Sequence, residues 1–274
     1  MRNILRIVLF TMLVLALSAC GSKQLGVDKP LIIMPMGDSI TEGTCDSEEN
    51  CDMSVEHPLT EGGYVPACYL SYGESNPNAA GYRAFLRDDL IAAGLETSYT
   101  GSVNIPEGLA HEAHFDFLIA DLDFCVQNAD WFEKTVPDMI LLYTGSYDAA
   151  YANQEPEQMA AELKALIEHI YATVPEKTYV LVAQILPFAS DIKISFGASS
   201  GKLVNEFIEP YNGLIPGVVE ELRAAGKNVY MVDLRSAIQS DADFAADGGH
   251  PLAAVHERVA KIWSDKIVEI LDSK

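Results

Sequence analysis

The sequence predicts an α/β domain in three layers, with a central, mostly parallel β-sheet covered by helices on both faces. Short apolar runs alternate with longer segments of helical periodicity from residue 31 onward, which is the pattern of such a sheet. The apolar runs are four or five residues long, as is typical of strands buried on both faces. The length of 274 residues suffices for one domain with a large core, and no change of composition marks a second domain.

The predicted elements follow one another in a regular order. Strands are predicted at 31–34, 97–103, 139–143, 179–183 and 229–232, and helices at 81–93, 155–173, 202–224 and from Pro251 onward. Gly94 and Gly226 follow two of these helices and Pro175 follows a third, as expected of helix ends. Because ligands of such sheets bind beyond the carboxyl ends of the strands, we expect the reacting groups at that edge.

The first nineteen residues are not predicted to belong to the domain. Arg2 and Arg6 flank the apolar stretch 7–17, which is too short to span a bilayer and is typical of a signal peptide. The stretch ends in LSAC, which resembles the lipobox of a bacterial lipoprotein. This resemblance implies a signal peptide at 1–19, a lipid on Cys20 and a polar tether over 20–30. The alternative is an ordinary secretory signal followed by a chance cysteine.

The charge of the chain restricts its partners. There are 40 acidic and 18 basic side chains, a net charge of −22, which becomes −24 without the two arginines of the first nineteen residues. Such a surface repels nucleic acid and anionic lipid, so we expect neither as a partner. The charges are spread along the chain, as expected of a surface that keeps an exported protein soluble. The lipobox resemblance implies that the lipid on Cys20 links the mature protein to a membrane, with the outer membrane as the expected location in a cell that has one, because the residue after Cys20 is not aspartate.

Four cysteines follow Cys20, and they predict two disulfides without fixing which of three pairings forms. They are Cys45, Cys51, Cys68 and Cys125, and the first three lie in an aperiodic segment at 44–78, which we interpret as an insertion beside the active-site mouth. A zinc site is the alternative, but no CxxC pair occurs. The acidic run at 46–52 matches no calcium-binding spacing, and no glycine-rich phosphate loop is present. We therefore predict neither a metal nor a cofactor.

Two short motifs at opposite ends of the domain supply the groups needed for acyl transfer. The run PMGDSITEG at 35–43 places Ser39 just after the first strand, and DGGHP at 247–251 places Asp247 three residues before His250. Ser39 is the candidate nucleophile, His250 its base, and Asp247 the acid that orients the histidine. The alternative is that Ser39 and Asp247 only cap helices. His256 has no acid three residues before it and is expected to be a surface residue, while His57 and His169 have no motif context.

Both motifs resemble those of the SGNH (GDSL-type) hydrolases, and the resemblance covers most of 31–271. It implies a flavodoxin-like SGNH hydrolase domain at 31–272 and a serine esterase mechanism. Within that group the chain is most similar to acetylxylan-esterase-like carbohydrate esterases, which share the GYR at 81–83 and a glycine-serine strand end, here TGS at 100–102.

The chain departs from the family pattern at the residues that stabilise the oxyanion. The resemblance implies three donors, of which the backbone N–H of Ser39 is one. The family segment HEGxSGW corresponds to HEAHFDF at 111–117, so that Asp116 replaces a donor glycine, and GTND corresponds to GSYD at 145–148, so that Tyr147 replaces a donor asparagine. Asp38 has a structural role in the family, and Asp38 and Gly145 are candidate substrate contacts.

Ser39, His250 and Asp247 predict a serine esterase, and the resemblance implies that it hydrolyses small acyl esters, acetyl esters above all, of a carbohydrate or a similar polar molecule. The altered oxyanion donors motivate a different hypothesis, a catalytically silent ligand-binding lipoprotein with the same fold. A lysophospholipase or thioesterase is a third hypothesis, which would require an apolar acyl groove.

Overall fold

The structure of the chain is a computed structural model, and it describes residues 29–44, 68, 80–152, 154–194 and 199–273. The strands are β1 (Leu31–Gly37), β2 (Thr97–Tyr99), β3 (Glu112–Ala113), β4 (Met139–Tyr143), β5 (Tyr179–Gln184) and β6 (Val229–Asp233). The helices are α1 (Ser39–Glu42), α2 (Tyr82–Ala92), α3 (Ile119–Asn128), α4 (Pro156–Thr173), α5 (Asn205–Ala224) and α6 (Ala253–Asp272).

All strands pair in parallel in one sheet, with the order β2-β1-β4-β5-β6 and with β3 continuing the edge beside the end of β1. Helices α2 and α6 pack together, and α4 packs against both α3 and α5. Every residue of β4 is buried, as expected of a central strand covered on both faces. The predicted three-layer α/β fold with a parallel sheet is therefore confirmed.

The last helix shows how the sequence pattern defines a buried face. In α6 the buried positions include Val255, Val259, Trp263, Ile267 and Ile270, which recur at three- and four-residue intervals. This stripe packs on α2 and the sheet, whereas the intervening lysines and glutamates remain in solvent. Burying such apolar side chains contributes about 1.5–3 kcal/mol each before the loss of chain entropy is subtracted.

Several predicted boundaries differ from the observed ones. The strand predicted at 97–103 ends at Tyr99, because β1 pairs with β2 only over Leu31–Ile33 and then pairs with β3 at Met36 and Gly37. The helix predicted at 202–224 begins at Asn205, and the last helix begins at Ala253 rather than at Pro251. Strand β3, which has only two residues, and helix α3 were not predicted from the sequence pattern.

Two glycines on either side of the predicted insertion touch each other. A Cβ on Gly43 would lie 2.5 Å from the backbone nitrogen of Gly81, and a Cβ on Gly81 would lie 2.9 Å from the Cα of Gly43. This contact requires two residues without side chains. The described residues that flank the insertion predicted at 44–78 are therefore neighbours, beside α1. Cys45, Cys51 and His57 lie outside the described residues.

One disulfide joins the insertion to the domain. Cys68 is bonded to Cys125 of α3, with an S–S distance of 2.06 Å, and the backbone oxygen of Cys68 accepts a 2.9 Å hydrogen bond from the indole N–H of Trp131. The bridge spans 57 positions of the chain, so it removes much of the freedom of the unfolded chain, an effect of about 2–4 kcal/mol. It is one of the two predicted disulfides. Cys45 and Cys51, which would form the other, belong to the part of the insertion not described.

Within the described residues, no helix has the length and apolar character needed to cross a membrane. The predicted signal peptide, Cys20 and most of the tether precede residue 29 and lie outside the described part of the chain.

Candidate active site

Ser39 lies at the first position of α1, immediately beyond the carboxyl end of β1. The preceding residue, Asp38, caps this helix: its Oδ1 accepts a 3.1 Å hydrogen bond from the backbone N–H of Ile40. Because Asp38 is the cap, the hydroxyl of Ser39 is not needed for that role. The side chain of Ser39 is partly exposed in an otherwise buried segment, so it is available for chemistry.

The structure brings Ser39, His250 and Asp247 into one hydrogen-bonded chain. His250 Nε2 lies 2.9 Å from Ser39 Oγ, and His250 Nδ1 lies 2.5 Å from Asp247 Oδ2. Burial raises the pKa of Asp247, but the hydrogen bond and charge of His250 and the N–H groups of His250 and Gly249 outweigh it and lower the pKa overall. Since an ionised carboxylate can only accept, Nδ1 donates to Asp247 and Nε2 is left to accept the Ser39 proton.

The loop that carries Asp247 is closed by its own hydrogen bonds. Asp247 Oδ1 accepts from the backbone N–H groups of Gly249 at 2.9 Å and His250 at 3.0 Å. The N–H of Ala245 donates to the carbonyl of His250 at 2.8 Å. Helix α6 starts only at Ala253, so Asp247 does not cap it, contrary to the capping alternative. The loop instead fixes the acid and the histidine relative to each other.

Asp116, the residue predicted to replace the donor glycine, lies beside the histidine in a left-handed backbone conformation. Its φ is 62°, at the third position of a turn in which the N–H of Phe117 donates to the carbonyl of His114 at 3.4 Å. A turn of this kind favours glycine at that position. Burial raises the pKa of Asp116 to about 7, with Glu42 and Asp38 adding to the effect and His250 opposing it. The carboxyl group therefore belongs to the electrostatic surroundings of the site.

Tyr147, the residue predicted to replace the donor asparagine, forms a stacked pair with Tyr151. The ring centroids are 4.6 Å apart and the planes are inclined by 26°. Burial, followed by the charge of Asp116, raises the pKa of the Tyr147 phenol to about 12. Tyr147 is partly buried, and its ring is held toward Tyr151.

The two candidate substrate contacts, Asp38 and Gly145, occupy buried positions. Asp38 is 1% exposed, and burial raises its pKa to about 7 against the hydrogen bonds from Ile40 and Ser146. Gly145 lies against Tyr211, where a Cβ would come within 2.7 Å of the ring. The structure thus gives Asp38 the role of a helix cap and Gly145 the role of a close packing contact.

A buried arginine that was not predicted to be functional, Arg83, holds the backbone of the segment that follows Ser39. The guanidinium group of Arg83 donates to the backbone carbonyl of Thr41 in α1 and, at 3.2 Å, to that of Leu109. The side chain is fully buried, and desolvation lowers its pKa to about 10. Arg83 therefore ties the segment after Ser39 to the chain that leads into β3. The GYR resemblance at 81–83 was the signal that could have identified it.

The segment 111–114 adds a second buried polar network beside the site. His114 Nε2 lies 2.8 Å from Glu112 Oε1, and Glu112 also accepts from the hydroxyl of Ser102 at 2.6 Å and from its N–H at 2.7 Å. The His114 ring stacks on Phe117 and on Trp131. This network holds the turn that contains Asp116.

The prediction that His256 is a surface residue was wrong. Its side chain is 1% exposed, and burial lowers its pKa to about 3, with the charges of Arg83 and His250 contributing. The position is three residues before Val259 and seven before Trp263, so the helical spacing could have indicated a buried residue. His169 pairs with Asp123 across α4 and α3, at 2.6 Å, apart from the triad.

Asp148, the last residue of the GSYD segment, holds the start of α3. Its two carboxyl oxygens lie 3.2 and 3.3 Å from the backbone nitrogen of Ile119, and the side chain is fully buried. Burial raises the pKa of Asp148 to about 8, and the nearby acids Glu162 and Asp38 add to the effect. Within the described ranges, no group of three or more histidine, cysteine, aspartate or glutamate side chains is arranged to hold a metal ion.

Comparison with known proteins identifies the class to which this fold and site belong. Residues 33–263, well over half of the chain, match the family described as GDSL-like lipase/acylhydrolase. The chain therefore belongs to this family of ester hydrolases, as the motifs around Ser39 and His250 predicted.

Two curated relatives align with this chain over part of their own length. A multidomain esterase of Ruminococcus flavefaciens is 28% identical over 249 residues, which is 86% of this chain and 28% of that protein. A putative endoglucanase X of Acetivibrio thermocellus is 30% identical over 144 residues, which is 52% of this chain and 55% of that protein. The chain thus spans about a quarter to a half of the length of these relatives.

Solved structures share the fold at lower identity. A family 3 carbohydrate esterase of Clostridium thermocellum has a TM-score of 0.62 at 24% identity and covers 89% of this chain and 98% of its own. Axe2, an acetylxylan esterase of Geobacillus stearothermophilus, has a TM-score of 0.55 at 18% identity and covers 89% of this chain and 96% of its own. At these identities the likeness establishes the three-layer fold.

The buried carboxyl group of Asp148 gives a testable pH dependence of stability. Its pKa is about 8 in the folded chain against an ordinary value of 3.8, so the folded chain keeps a proton that the unfolded chain loses between these values. Stability should therefore fall as the pH rises through this window. Asp148→Asn keeps an acceptor for Ile119 but cannot ionise. The free energy of unfolding of this variant minus that of the wild type should therefore rise by about 1.4 kcal/mol for each pH unit.

Urea unfolding of both proteins at pH 5 and pH 8 measures this difference. Asp191→Asn, at an exposed position, is the matched control and should track the wild type at both pH values. A constant difference between Asp148→Asn and the wild type at the two pH values would contradict the prediction.

Proposed function

We propose that this chain is a serine esterase that removes small acyl groups, above all acetyl, from carbohydrate by a Ser-His-Asp mechanism. The observation that carries the proposal is the continuous chain of hydrogen bonds from Ser39 through His250 to Asp247. Its position beyond the carboxyl end of β1, partly open to solvent, supports the proposal. The carbohydrate esterases among the similar structures support the choice of substrate.

In the first half of the reaction, Ser39 Oγ attacks the ester carbonyl while His250 Nε2 accepts the hydroxyl proton. The tetrahedral intermediate carries one negative charge on the former carbonyl oxygen. It collapses as the bond to the sugar oxygen breaks, and His250 returns the proton to that oxygen. The products of this step are a free sugar hydroxyl and an acyl group on Ser39.

In the second half, a water molecule takes the place of the sugar. His250 accepts a proton from the water as the water oxygen attacks the acyl carbonyl, and Ser39 leaves with that proton. Asp247, held ionised by its hydrogen bonds, stabilises the imidazolium in both halves. The net reaction consumes one water and releases one carboxylic acid.

The proposed oxyanion site has different residues from the family at two of the three donor positions. Only at one of them, Tyr147, is the family's donor group itself replaced. A backbone N–H of Ser39 is retained, and the N–H of Asp116 lies in a glycine-like turn. Tyr147 replaces the asparagine side chain with a hydroxyl on a longer ring, which stacks on Tyr151. Since one missing donor lowers the rate by about 10²–10³-fold, we expect a weak esterase.

Hydrolysis of p-nitrophenyl acetate by the purified mature protein tests the proposal. Wild-type turnover should exceed that of Ser39→Ala by at least about 10³-fold, because the nucleophile is lost while binding remains. A serine-directed phosphonate should label the wild type at Ser39. Turnover equal to that of Ser39→Ala, together with an unlabelled Ser39, would favour the silent ligand-binding protein instead.

Replacing Tyr147 tests the altered oxyanion site. If the ring displaces a working donor, Tyr147→Asn should raise kcat for p-nitrophenyl acetate at least tenfold, a gain of about 1.4 kcal/mol in the barrier. Tyr147→Phe is the matched control, because it keeps the ring and removes only the hydroxyl. A fall in kcat in both variants would show that the phenol itself is the donor, and an unchanged kcat in both would place residue 147 outside the oxyanion site.

We further propose that the protein is exported and held at a membrane by a lipid on Cys20. The signal-peptide pattern at 1–19 and the lipobox-like LSAC support this proposal. Because one acyl chain binds weakly, stable anchoring requires the several chains that lipoproteins carry. Cys20→Ser, expressed in a lipoprotein-processing bacterium, should move from the membrane fraction to the soluble fraction. A variant that stays at the membrane would refute the anchor.

A further inference from the structure

An aromatic pair lies near the proposed triad: Tyr147, which is partly buried, and Tyr151, which is exposed and has no part in the acyl-transfer steps derived above. The two residues are four apart: Tyr151 lies in the π-helical turn Asp148–Ala152 and Tyr147 directly precedes it, and their rings stack with centroids 4.6 Å apart. Tyr151 is 45% exposed, among the most exposed large apolar side chains of the described residues. An aromatic ring that is exposed next to a reacting group is available to a ligand.

The sheet register places the pair next to the site: Gly37 of β1 pairs with Tyr143 of β4, so Tyr147 follows the carboxyl end of β4 as Ser39 follows that of β1. Burial, then the charges of Asp247 and Asp116, raises the pKa of the Tyr151 phenol. Tyr147 likewise experiences the charge of Asp116. Tyr151 is therefore affected by both Asp247 and Asp116, and Tyr147 by Asp116.

A third ring lines the side of the histidine. Phe115 lies parallel to the His250 imidazole, with centroids 6.1 Å apart and planes inclined by 9°. Phe115 directly precedes Asp116 in the turn next to the site, and it is partly exposed. The described residues around the nucleophile thus combine aromatic rings with carboxyl groups.

We propose, on the basis of the proposed esterase function, that the Tyr147–Tyr151 pair is the subsite for the sugar ring that carries the acyl group. A pyranose ring has C–H groups on its faces and hydroxyl groups around its rim. An aromatic pair contacts such a face, and the phenol and carboxyl oxygens beside it accept hydrogen bonds from the rim. Tyr147 and Tyr151 are then specificity-determining residues, which favour esters of a sugar over esters of a small alcohol.

The carboxyl groups at the mouth further restrict the sugar to a neutral one. A sugar that carries its own carboxylate would be repelled by Asp247 and by Asp116 in its ionised form. The subsite therefore selects an acetylated neutral oligosaccharide over an acetylated uronic-acid oligosaccharide.

Acetate release is measured for two substrates, so that the same product is followed in both reactions. The comparison of the two rates tests the subsite. The substrates are acetylated xylo-oligosaccharide, which offers a neutral ring, and ethyl acetate, which offers none. In Tyr151→Ala the ratio of kcat/KM for the sugar ester to that for ethyl acetate should fall about tenfold, mainly through KM. Tyr151→Phe keeps the ring and should retain most of the wild-type ratio.

Phe124→Ala provides the control for the loss of an exposed ring elsewhere. Phe124 lies on α3 with 40% exposure, similar to that of Tyr151, and its removal should leave the ratio unchanged. An unchanged ratio in Tyr151→Ala, or a fall of the same size in Phe124→Ala, would overturn the subsite. A wild type that prefers acetylated oligogalacturonide to the xylo-oligosaccharide would overturn the selection of a neutral sugar.

The outcome also separates the subsite from the esterase function on which it rests. If the wild type releases acetate from neither substrate beyond the Ser39→Ala background, the esterase function fails and the subsite with it. If the wild type is active on both and Tyr151→Ala changes them equally, only the subsite is wrong.

Discussion

Residue 37 lies where β1 meets β4 and has no room for a side chain. A Cβ at Gly37 would come within 2.0 Å of the carbonyl oxygen of Tyr143 and 2.8 Å of the hydroxyl of Thr41. The glycine lets β1 run deep between β3 and β4, pairing with Ala113 on one side and Tyr143 on the other. Ser39, two residues later, thus emerges at the carboxyl edge of the sheet, and the position of every other group of the site depends on this placement.

Several polar groups that support the site are buried, and each of them is positioned by hydrogen bonds. Asp38 caps α1, Arg83 binds the carbonyl of Thr41, and Glu112 binds both His114 and Ser102. A buried group whose hydrogen bond is lost destabilises the protein by about 1–3 kcal/mol, so such networks hold one conformation strongly. The segment that carries Ser39 is therefore held by buried polar contacts, while the side chain of Ser39 is partly exposed to solvent.

The electrostatics of the site act in two opposing directions. Asp247 is hydrogen-bonded to His250, and in the proposed reaction its charge would stabilise the imidazolium, as would the charges of Asp116 and Asp38 when these groups are ionised. The same charges would oppose the negative charge that forms on the carbonyl oxygen of the ester in the proposed reaction. Burial raises the pKa of Asp116 and Asp38 to about 7, which reduces this opposition in neutral and acidic solution. The backbone donors then act in a less negative environment.

The central strands and four of the helices could be predicted from the sequence, and so could the two motifs that carry Ser39, Asp247 and His250, because each has a local signal. Short apolar runs indicate buried parallel strands, and apolar residues at three- and four-residue spacing indicate amphipathic helices. Ser39, Asp247 and His250 lie in two motifs with fixed internal spacing. The family resemblance then supplied the order of the fold. Tyr147 was identified as a departure from pattern by the same local comparison.

Only the tertiary structure determined the contacts between distant segments, since no local pattern encodes them. It paired Cys68 with Cys125 among three alternatives, buried His256 beside Arg83, and stacked Tyr147 on Tyr151 next to the triad. Strand β3 forms because β1 offers its free edge at Met36 and Gly37, not because two residues have a strand propensity of their own. The sequence by itself determined which chemical groups are present and on which elements they lie. The packing of those elements decided which groups meet, because hydrogen bonds and desolvation act through distances that only the folded chain defines.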